Sequence, residues 1–180
     1  MVFQNKNYRI IVDEVDRLTD ISSFPHDKFI DPLEIYPSDL CKVFSVQILS
    51  ENDRTQLILV GDFYSDVRNC ILLEENAMIF LLNNQLLCIA LESGAVSHRC
   101  DLSQYGCGIA LYRIMDGYVI HGEETIIKIS LEFDVLWTFC GQDIFVSVTG
   151  KNPFVLSDNS IRLCDFLDNV YIVDFNGKEL

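Results

Sequence analysis

The sequence predicts an all-β protein made of about three to four small antiparallel sheet units. Two segments forty residues apart, "NAMIFLLNNQLLCIALESGAV" (76–96) and "DGYVIHGEETIIKISLEFDVL" (116–136), align without a gap. Short apolar runs separated by turn residues favour strands, and no window carries a sustained helical stripe between proper caps. The best exception is "VDEVDRLTDI" (12–21), where a short helix competes with a strand.

Residues 1–42 differ from the remainder and are predicted to form an irregular N-terminal arm that packs on the sheets. This segment has one strand-like stretch, "YRIIVDEV" (8–15), followed by Pro25, Pro32 and Pro37. Prolines disfavour both helix interiors and central strands, because they lack a backbone N–H and fix φ. The predicted organisation is therefore an arm over 1–42 and a repeat domain over 43–180.

Within the repeat domain, units are predicted at about 43–69, 70–102, 109–142 and 153–180. The first is a hairpin only, formed by "KVFSVQIL" and "TQLILVG". In the later units the connections are Asn83-Asn84, Glu123-Glu124 and Asp168-Asn169. Asn suits a tight turn because it tolerates positive φ, whereas Glu-Glu is a poorer turn sequence.

The repeat also predicts that equivalent apolar residues occupy equivalent core layers. A shift of forty residues places the first unit's inward residues over those of the next unit, because each strand keeps its alternation. The predicted layer contains Leu87, Ile89 and Leu91 in one unit and Ile127, Ile129 and Leu131 in the next.

A period near forty built from short strands is typical of a propeller blade. The segments "ALESGAVSH" and "VDFNGKEL" resemble the repeat of quinoprotein-type (PQQ-like) β-propellers over about residues 70–180. In that family an acid and a glycine form the turn between a blade's last two strands. Glu92-Ser93-Gly94 matches this pattern well, and Asp174 with Asn176 and Gly177 matches it reasonably. Glu132-Phe133-Asp134 matches it without the glycine.

The resemblance implies an open or partial propeller stack, since closed propellers need at least about four blades. An open stack leaves a terminal sheet uncovered. The N-terminal arm, another subunit or a partner protein are three alternatives for covering it. None of the family's cofactor-binding residues can be placed on this chain, so the sequence predicts no cofactor.

The charge of the chain restricts its partners. It has 27 acidic residues against 13 Lys and Arg, a formal net charge of −14. Such a charge repels phosphate backbones and anionic lipids, so we expect neither nucleic acid nor membrane as a partner. The charge serves either solubility alone or electrostatic steering toward a basic protein.

The start of the chain shows no apolar stretch suited to a signal peptide, and its acids are unlike those of a targeting sequence. Seven cysteines are an odd number, and most lie in apolar strand-like runs such as "LLCIAL". Buried thiols explain them better than disulfides or a metal site. These observations predict a cytoplasmic protein.

No motif indicates an enzyme or a metal site. The three histidines, His26, His98 and His121, show no metal-binding spacing, and His98 with Cys100 and Cys107 is a weak zinc candidate at best. A nucleophile elbow and a glycine-rich phosphate loop followed by a helix are absent. The sequence therefore predicts no catalytic and no metal-binding residues.

Three loops lie at equivalent places in successive units and should cluster on one edge of the stack. They are "GDFYSDVRN" (61–69), "SQYGCG" (103–108) and "GQD" (141–143). Aligned loops of this kind often form binding surfaces, and aromatic residues with acids suit protein contacts. The alternative is that they are ordinary loop residues with the tyrosines turned inward. The candidate partner-binding residues are Phe63, Tyr64, Asp66, Tyr105 and Asp143.

The function hypothesis is a non-enzymatic, acidic protein-interaction module, such as a bacterial immunity or adaptor protein that neutralises a basic partner. One alternative is an enzyme or small-ligand-binding protein with a pocket among the aligned loops. The other is a structural subunit that completes a larger propeller as a homo-oligomer. A concave pocket with perturbed titratable groups would distinguish the enzyme from the interaction module.

Overall fold

The computed structural model describes residues 1–15, 25–34, 36, 42–147 and 149–180, and within them the regular structure is almost entirely β. The strands, in chain order, are β1 Val2–Gln4, β2 Arg9–Glu14, β3 Lys28–Ile30, β4 Lys42–Leu49, β5 Arg54–Gly61, β6 Ile71–Leu73, β7 Ala77–Leu82, β8 Gln85–Ala90, β9 Val96–Asp101, β10 Gly108–Ile114, β11 Gly117–Gly122, β12 Thr125–Ile129, β13 Val135–Cys140, β14 Phe154–Leu156, β15 Ser160–Cys164 and β16 Val170–Asp174. Two short 3₁₀ turns, Val67–Asn69 and Ser103–Tyr105, are the described helical elements. No helix among the described residues is long and apolar enough to cross a membrane.

The second and third sheets are antiparallel meanders with the orders β6-β7-β8-β9 and β10-β11-β12-β13. Their registers repeat at forty residues, as the alignment predicted. Met78 pairs with Ile89 in the second sheet, and Tyr118 pairs with Ile129 in the third. The all-β class and the repeating units are therefore confirmed.

The predicted turns join the middle strands of these sheets. Asn83 has a φ of 47°, which supports its predicted role in a tight turn. Glu123-Glu124 connects β11 and β12 without a positive φ, which suits glutamate better than a primed turn would. In the fourth sheet, Asp168 has a φ of 68° within the connection between β15 and β16.

The first sheet is larger than the predicted 43–69 hairpin. Its order is β1-β2-β4-β5-β3, with β3 parallel to β5 and all other neighbours antiparallel. The strand predicted over 8–15 is present as β2, and Ile10 on it is fully buried. The described residues of the predicted arm thus supply three strands to this sheet.

The positions of the prolines explain why these residues can form strands. Pro25 and Pro32 lie in the connection between β2 and β4, outside any strand, so they do not prevent the earlier residues from pairing. The competing helix over 12–21 is excluded for residues 12–14, which belong to β2, and its later residues lie outside the described ranges.

The fourth sheet, β14-β15-β16, follows the third in the stack. Beyond β16, a bridge between Val173 and Glu179 marks the position that an outer strand takes in the second and third sheets. Two apolar clusters hold the stack together. One joins the first three sheets and the other joins the third to the fourth.

The predicted core layer is confirmed except at one residue. Five of its six members are at most 3% exposed: Leu87, Ile89, Leu91, Ile127 and Ile129. Leu131 is 44% exposed, so its predicted core position was wrong. The turn after β12 closes between Ser130 N–H and the Asp134 carbonyl, one residue shorter than the Ala90-to-Ala95 turn, and Phe133 is buried instead of Leu131.

Candidate functional site

The loops that connect successive sheets and the hairpin turns in the middle of each sheet lie at one edge of the stack. We call this surface the connection edge, and it comprises residues 62–70, 83–84, 102–107, 123–124 and 141–147. Because consecutive strands alternate in direction, every connection between sheets returns to the edge where the middle hairpin turns. The three predicted loops share this edge.

Hydrogen bonds join the loops at the start of the connection edge. The side-chain oxygen of Asn83 accepts from Asp62 N–H at 2.7 Å, and Asn83 N–H donates to the Asp62 carbonyl at 2.8 Å. Asn84 does the same on the other side, since its carbonyl accepts from Leu102 N–H at 2.8 Å and its side-chain oxygen accepts from Gly108 N–H at 3.3 Å. The hairpin turn therefore holds the preceding and the following connection together.

Glu123 has the equivalent role in the third sheet. Its N–H donates to the Cys107 carbonyl at 2.8 Å, and its carbonyl accepts from Phe145 N–H at 2.6 Å. Phe166 N–H then donates to the Ile144 carbonyl at 2.8 Å, which links the edge to the fourth sheet. The connection edge is thus a row of turns that backbone and side-chain hydrogen bonds join to one another, and this row positions the exposed side chains.

Phe63 does not belong to the accessible surface, which corrects its prediction as a contact residue. It is 8% exposed and lies edge-on to Phe44 of β4, with ring centroids 4.9 Å apart. The sequence shows two adjacent aromatic residues but not which of them turns toward the core. Burial of Phe63 orients its neighbour outward.

Tyr64 is that neighbour, and its side chain is 49% exposed. The hydroxyl lies beside Asn83 and Cys107. Partial burial, followed by the proximity of Cys107, raises the pKa of Tyr64, so the phenol is neutral at physiological pH. A neutral hydroxyl on a protruding ring suits an aromatic contact residue.

Asp66 is exposed but already has a cation. Its carboxylate accepts from Arg68 N–H at 2.9 Å and from the guanidinium at 2.6 Å, which caps the short 3₁₀ turn. Hydrogen bonds from Arg68 lower the pKa of Asp66 to about 2. This pair contributes little net charge to the surface.

Tyr105 and Asp143 lie on the connection edge and shape its loops. Tyr105 is half-buried and packs against the larger core cluster. The half-buried Asp143 carboxylate accepts from Ile144 N–H at 2.8 Å. Tyr105 is thus less accessible than Tyr64, which is 49% exposed.

The structure adds acids that sequence reasoning did not select. Glu124 is exposed and Glu123 is half-buried, and among the described residues neither forms an ion pair, nor does Asp143. By contrast, Lys42 pairs with Asp62 at 3.3 Å and Lys151 with Asp168 at 2.9 Å. The repeat could have identified Glu123 and Glu124 from the sequence, because it places every middle hairpin turn on the same edge as the predicted loops.

Two buried polar side chains, His121 and Asp165, hold loops on this side of the stack by hydrogen bonds. His121 is 5% exposed, its Nε2 lies 2.9 Å from the Phe145 carbonyl, and its ring stacks on Phe154. Burial lowers the pKa of His121, so the ring is neutral and Nε2–H donates to that carbonyl. This histidine fixes the 141–147 loop.

Asp165 is 1% exposed and organises the loop between β15 and β16. It accepts from the backbone of Leu167 and Asn169, from the Asn169 side chain, and from the Tyr171 hydroxyl at 2.8 Å. Burial raises the pKa of Asp165 and these hydrogen bonds lower it, with a net downward shift. Each donor stabilises the carboxylate form.

Two clefts between neighbouring sheets lie at the opposite edge of the stack. One, of about 410 Å³, lies between the second and third sheets and is lined by Glu74, Tyr118 and Phe133 among others. Another, of about 520 Å³, lies between the third and fourth sheets beside Lys128. Within the described ranges, no group of three or more His, Cys, Asp or Glu side chains is arranged to hold a metal ion.

The cysteines of the described residues are free thiols. Cys70, Cys88 and Cys164 are buried, Cys100 and Cys107 are half-buried, and Cys140 is exposed. Burial is the main cause that raises the pKa of Cys70, whose sulfur also contacts the Ile109 carbonyl at 3.3 Å. Cys41 lies outside the described residues.

No protein-family model matches the chain, and no curated protein matches it. Among solved structures, it is similar to the crystal structure of BamB from Moraxella catarrhalis, a PQQ-like β-propeller protein. The TM-score is 0.53 with 13% identity, covering 100% of this chain and 51% of the BamB chain. The crystal structure of Kluyvelomyces marxianus Hsv2 gives a TM-score of 0.47 with 8% identity, covering 76% of this chain and 45% of that chain.

The likeness to BamB concerns the fold alone. It confirms the propeller-like resemblance that the repeat predicted. The chain spans about half the length of the BamB chain.

Proposed function

We propose that this protein is a non-enzymatic, acidic interaction module that binds a basic protein partner along the connection edge. The observation that carries the proposal is the pairing of a protruding aromatic with carboxylates that have no internal cation among the described residues. Tyr64 supplies the aromatic ring, and Glu123, Glu124 and Asp143 supply the carboxylates. All four side chains rise from a hydrogen-bonded row of turns.

Physical chemistry assigns different roles to these groups. Such carboxylates, on a chain with a formal charge of −14, attract a basic partner from a distance and raise the association rate. An aromatic side chain near the middle of a contact stays in place once water is excluded, and therefore lowers the dissociation rate. Tyr64 lies next to the first hairpin turn and is the anchor that this proposal selects.

The proposal that the protein is not an enzyme rests on the surroundings of its histidines. Buried His121 is neutral and bonded to a backbone carbonyl, while exposed His98 stacks on Phe133 with centroids 5.4 Å apart. Neither lies in hydrogen-bond contact with a cysteine among the described residues. An immunity or adaptor role in the cytoplasm, in which a basic partner is neutralised by binding, agrees with this arrangement.

The test uses a partner captured from the native host by the immobilised chain and then purified. Tyr64→Ala should raise the dissociation rate roughly thirty-fold, which corresponds to about 2 kcal/mol. Met115→Ala is the matched control, because Met115 is 94% exposed but lies in a turn at the opposite edge. Equal dissociation rates for wild type and Tyr64→Ala would show that the connection edge is not the binding surface.

A further inference from the structure

The cleft between the third and fourth sheets lies at the edge opposite the connection edge and has a volume of about 520 Å³. One wall is the turn between β10 and β11. The other wall is formed by the turn between β14 and β15 together with the turn after β16. Small-ligand pockets in proteins typically measure about 300–1,000 Å³, so this cleft is large enough to hold a ligand.

The ammonium group of Lys128 lies at the floor of this cleft. Lys128 is 4% exposed, and its Nζ donates to Asp116 on one wall at 2.7 Å and to the Phe175 carbonyl on the other at 2.9 Å. An ammonium group has three N–H donors, and Asp116 and Phe175 are its two acceptors among the described residues. The third N–H can therefore donate to an oxygen atom of a ligand.

Two carboxylates border this ammonium. The Asp116 side chain is 59% exposed, so it can accept from a ligand as well as from Lys128. Asp158 on the opposite wall is exposed. Arg113 also lines the cleft, but its guanidinium pairs with Glu74 at 3.0 Å. One ammonium and two carboxylates leave a net negative charge in the cleft, which favours a ligand with a net positive charge.

Apolar side chains line another part of the cleft. Ile114 is 8% exposed, and Leu156 and Phe175 are half-buried against the same apolar cluster. An aliphatic group placed here would remove further apolar surface from water, which stabilises a complex. The cleft therefore combines an N–H donor, two carboxylate acceptors and an apolar wall.

We propose that this cleft binds the free N-terminus of a peptide whose first residue has an aliphatic side chain. The ligand's α-ammonium donates to Asp116 and Asp158, its first carbonyl oxygen accepts from Lys128, and its side chain packs on Leu156 and Phe175. A peptide N-terminus carries its ammonium and its first carbonyl on the same Cα, which matches the adjacent carboxylate and ammonium in the cleft.

The charge of the cleft favours a peptide over a free amino acid. Both ligands have an α-ammonium and a neighbouring oxygen, but the free amino acid has no net charge, whereas a peptide N-terminus contributes a positive one. The cleft lies at the edge opposite the connection edge, so neither of the two proposed sites depends on the other.

The single tryptophan of the chain reports binding at this cleft. Trp137 Nε1–H donates at 3.0 Å to the Phe175 carbonyl, the same oxygen that accepts from Lys128. A ligand bound to Lys128 should therefore shift the Trp137 indole resonance in the ¹H–¹⁵N spectrum of the intact chain. The probe is leucinamide at about pH 6.5, where its amine is protonated. We expect a saturable shift with a dissociation constant on the order of millimolar.

Three further compounds test the separate contacts. N-acetyl-leucinamide lacks the ammonium, and glycinamide lacks the aliphatic side chain. Each should bind at least about ten-fold more weakly than leucinamide, because each loses one group that the cleft recognises. Leucine should also bind more weakly than leucinamide, because its carboxylate removes the net positive charge.

Substitutions test the two acids. Asp158→Asn removes an exposed charge and should weaken leucinamide binding at least about three-fold while leaving the fold stable. Asp116→Asn should weaken it about ten-fold, because it removes the carboxylate beside Lys128. Glu132→Gln is the matched control, since Glu132 is exposed in the turn between β12 and β13, is not part of the cleft lining, and should leave the affinity unchanged.

Four results would overturn the proposal. No shift of the Trp137 resonance up to about 50 mM leucinamide would exclude a binding site for this ligand. Equal binding of leucinamide and N-acetyl-leucinamide would show that the carboxylates do not recognise an ammonium. Tighter binding of leucine than of leucinamide would assign the cleft to free amino acids. Equal losses with Asp158→Asn and Glu132→Gln would show that the overall charge of the chain attracts the ligand.

Discussion

At the residue scale, Phe133 has an unusual backbone conformation for a residue with a large side chain. It has a φ of 71°, and the equivalent turns of the second and fourth sheets place Gly94 and Gly177 at 64° and 83°. The left-handed region costs a residue with a side chain roughly 1–2 kcal/mol. The ring offsets this cost, because it is 7% exposed and packs between His98 and Tyr118.

Two substitutions separate the strain from the packing. Phe133→Ala should lower the free energy of unfolding by about 3–5 kcal/mol, since it removes a buried ring and keeps the strained backbone. Phe133→Gly also removes the ring but relieves the strain, so it should be about 1 kcal/mol more stable than the alanine variant. Urea unfolding measures both, and an alanine variant as stable as the glycine variant would contradict the backbone argument.

Lys128 is a buried charged residue, and no sequence pattern predicts its burial. It lies on β12, is 4% exposed, and its ammonium donates to Asp116 at 2.7 Å and to the Phe175 carbonyl at 2.9 Å. The lysine thereby ties the third sheet to the turn of the fourth. A buried ammonium needs such partners, because desolvation disfavours an uncompensated charge.

The ion pair predicts a pH dependence of stability. The hydrogen bond from Lys128 lowers the pKa of Asp116, so the pair stabilises the fold above the unfolded pKa near 4 and this contribution is lost as the pH falls through the folded pKa. Asp116→Asn should therefore lower the unfolding free energy at pH 7 by about 1 kcal/mol, because the Asp116 side chain is 59% exposed and solvent screens the pair. The difference from wild type should shrink at pH 3.

Asp158→Asn is the control for this pH dependence, since Asp158 is exposed and forms no ion pair among the described residues. Urea unfolding of both variants at the two pH values is the measurement. A deficit of the Asp116 variant that stays constant between pH 7 and pH 3 would show that the carboxylate charge is not what stabilises the contact.

At the element scale, the sequence predicted the regular regions of the fold well. The forty-residue alignment located the hairpins of the second and third sheets, because strand pairing with a two-residue connection depends on local pattern. It missed β1 and β3, which are three residues each and carry no alternation long enough to detect. It also missed the shortened turn before β13, because a positive φ at a phenylalanine has no sequence signal.

The same limits apply to the candidate site. The repeat predicted that the loops share an edge, which the hydrogen bonds of Asn83 and Glu123 demonstrate. Whether Phe63 or Tyr64 faces outward depends on packing against Phe44, a residue about twenty positions away in another strand. Long-range contacts of this kind cannot be read from local pattern.

The placement of β2 in the first sheet gives a direct prediction. Ile10 is fully buried in the main core cluster, so Ile10→Ala should lower the unfolding free energy by about 2–5 kcal/mol. A loosely packed arm would give a far smaller loss. Val2→Ala is the control, because Val2 is 53% exposed on β1 and should change stability by less than about 0.5 kcal/mol. Equal effects of the two substitutions would contradict the five-stranded sheet.

At the scale of the whole molecule, the sequence gives the net charge of the protein but not where on its surface the acidic residues lie. Its formal value of −14 is the same wherever the acids lie. The structure shows that Asp62 and Asp66 have internal cations, whereas Glu123 and Glu124 have none among the described residues. The attractive field toward a basic partner is therefore expected at the second hairpin turn of the connection edge.

The opposite edge is acidic as well, with Glu74, Glu92, Glu132 and Asp158 in its turns. Net charge alone would steer a basic partner to either edge. The two edges can be compared with matched variants, because Glu124 and Glu92 are both exposed and both lie in turns of the β sheets.

The most direct test of the central claim is the association rate of the purified partner, measured by stopped flow as ionic strength rises from about 20 to 300 mM. The rate should fall at least about ten-fold, because screening shortens the Debye length to less than about 10 Å. Glu124→Gln should lower the low-salt rate more than Glu92→Gln, and the three rates should converge at high salt. Association that is independent of salt, or equal effects of the two variants, would contradict steering by the connection edge.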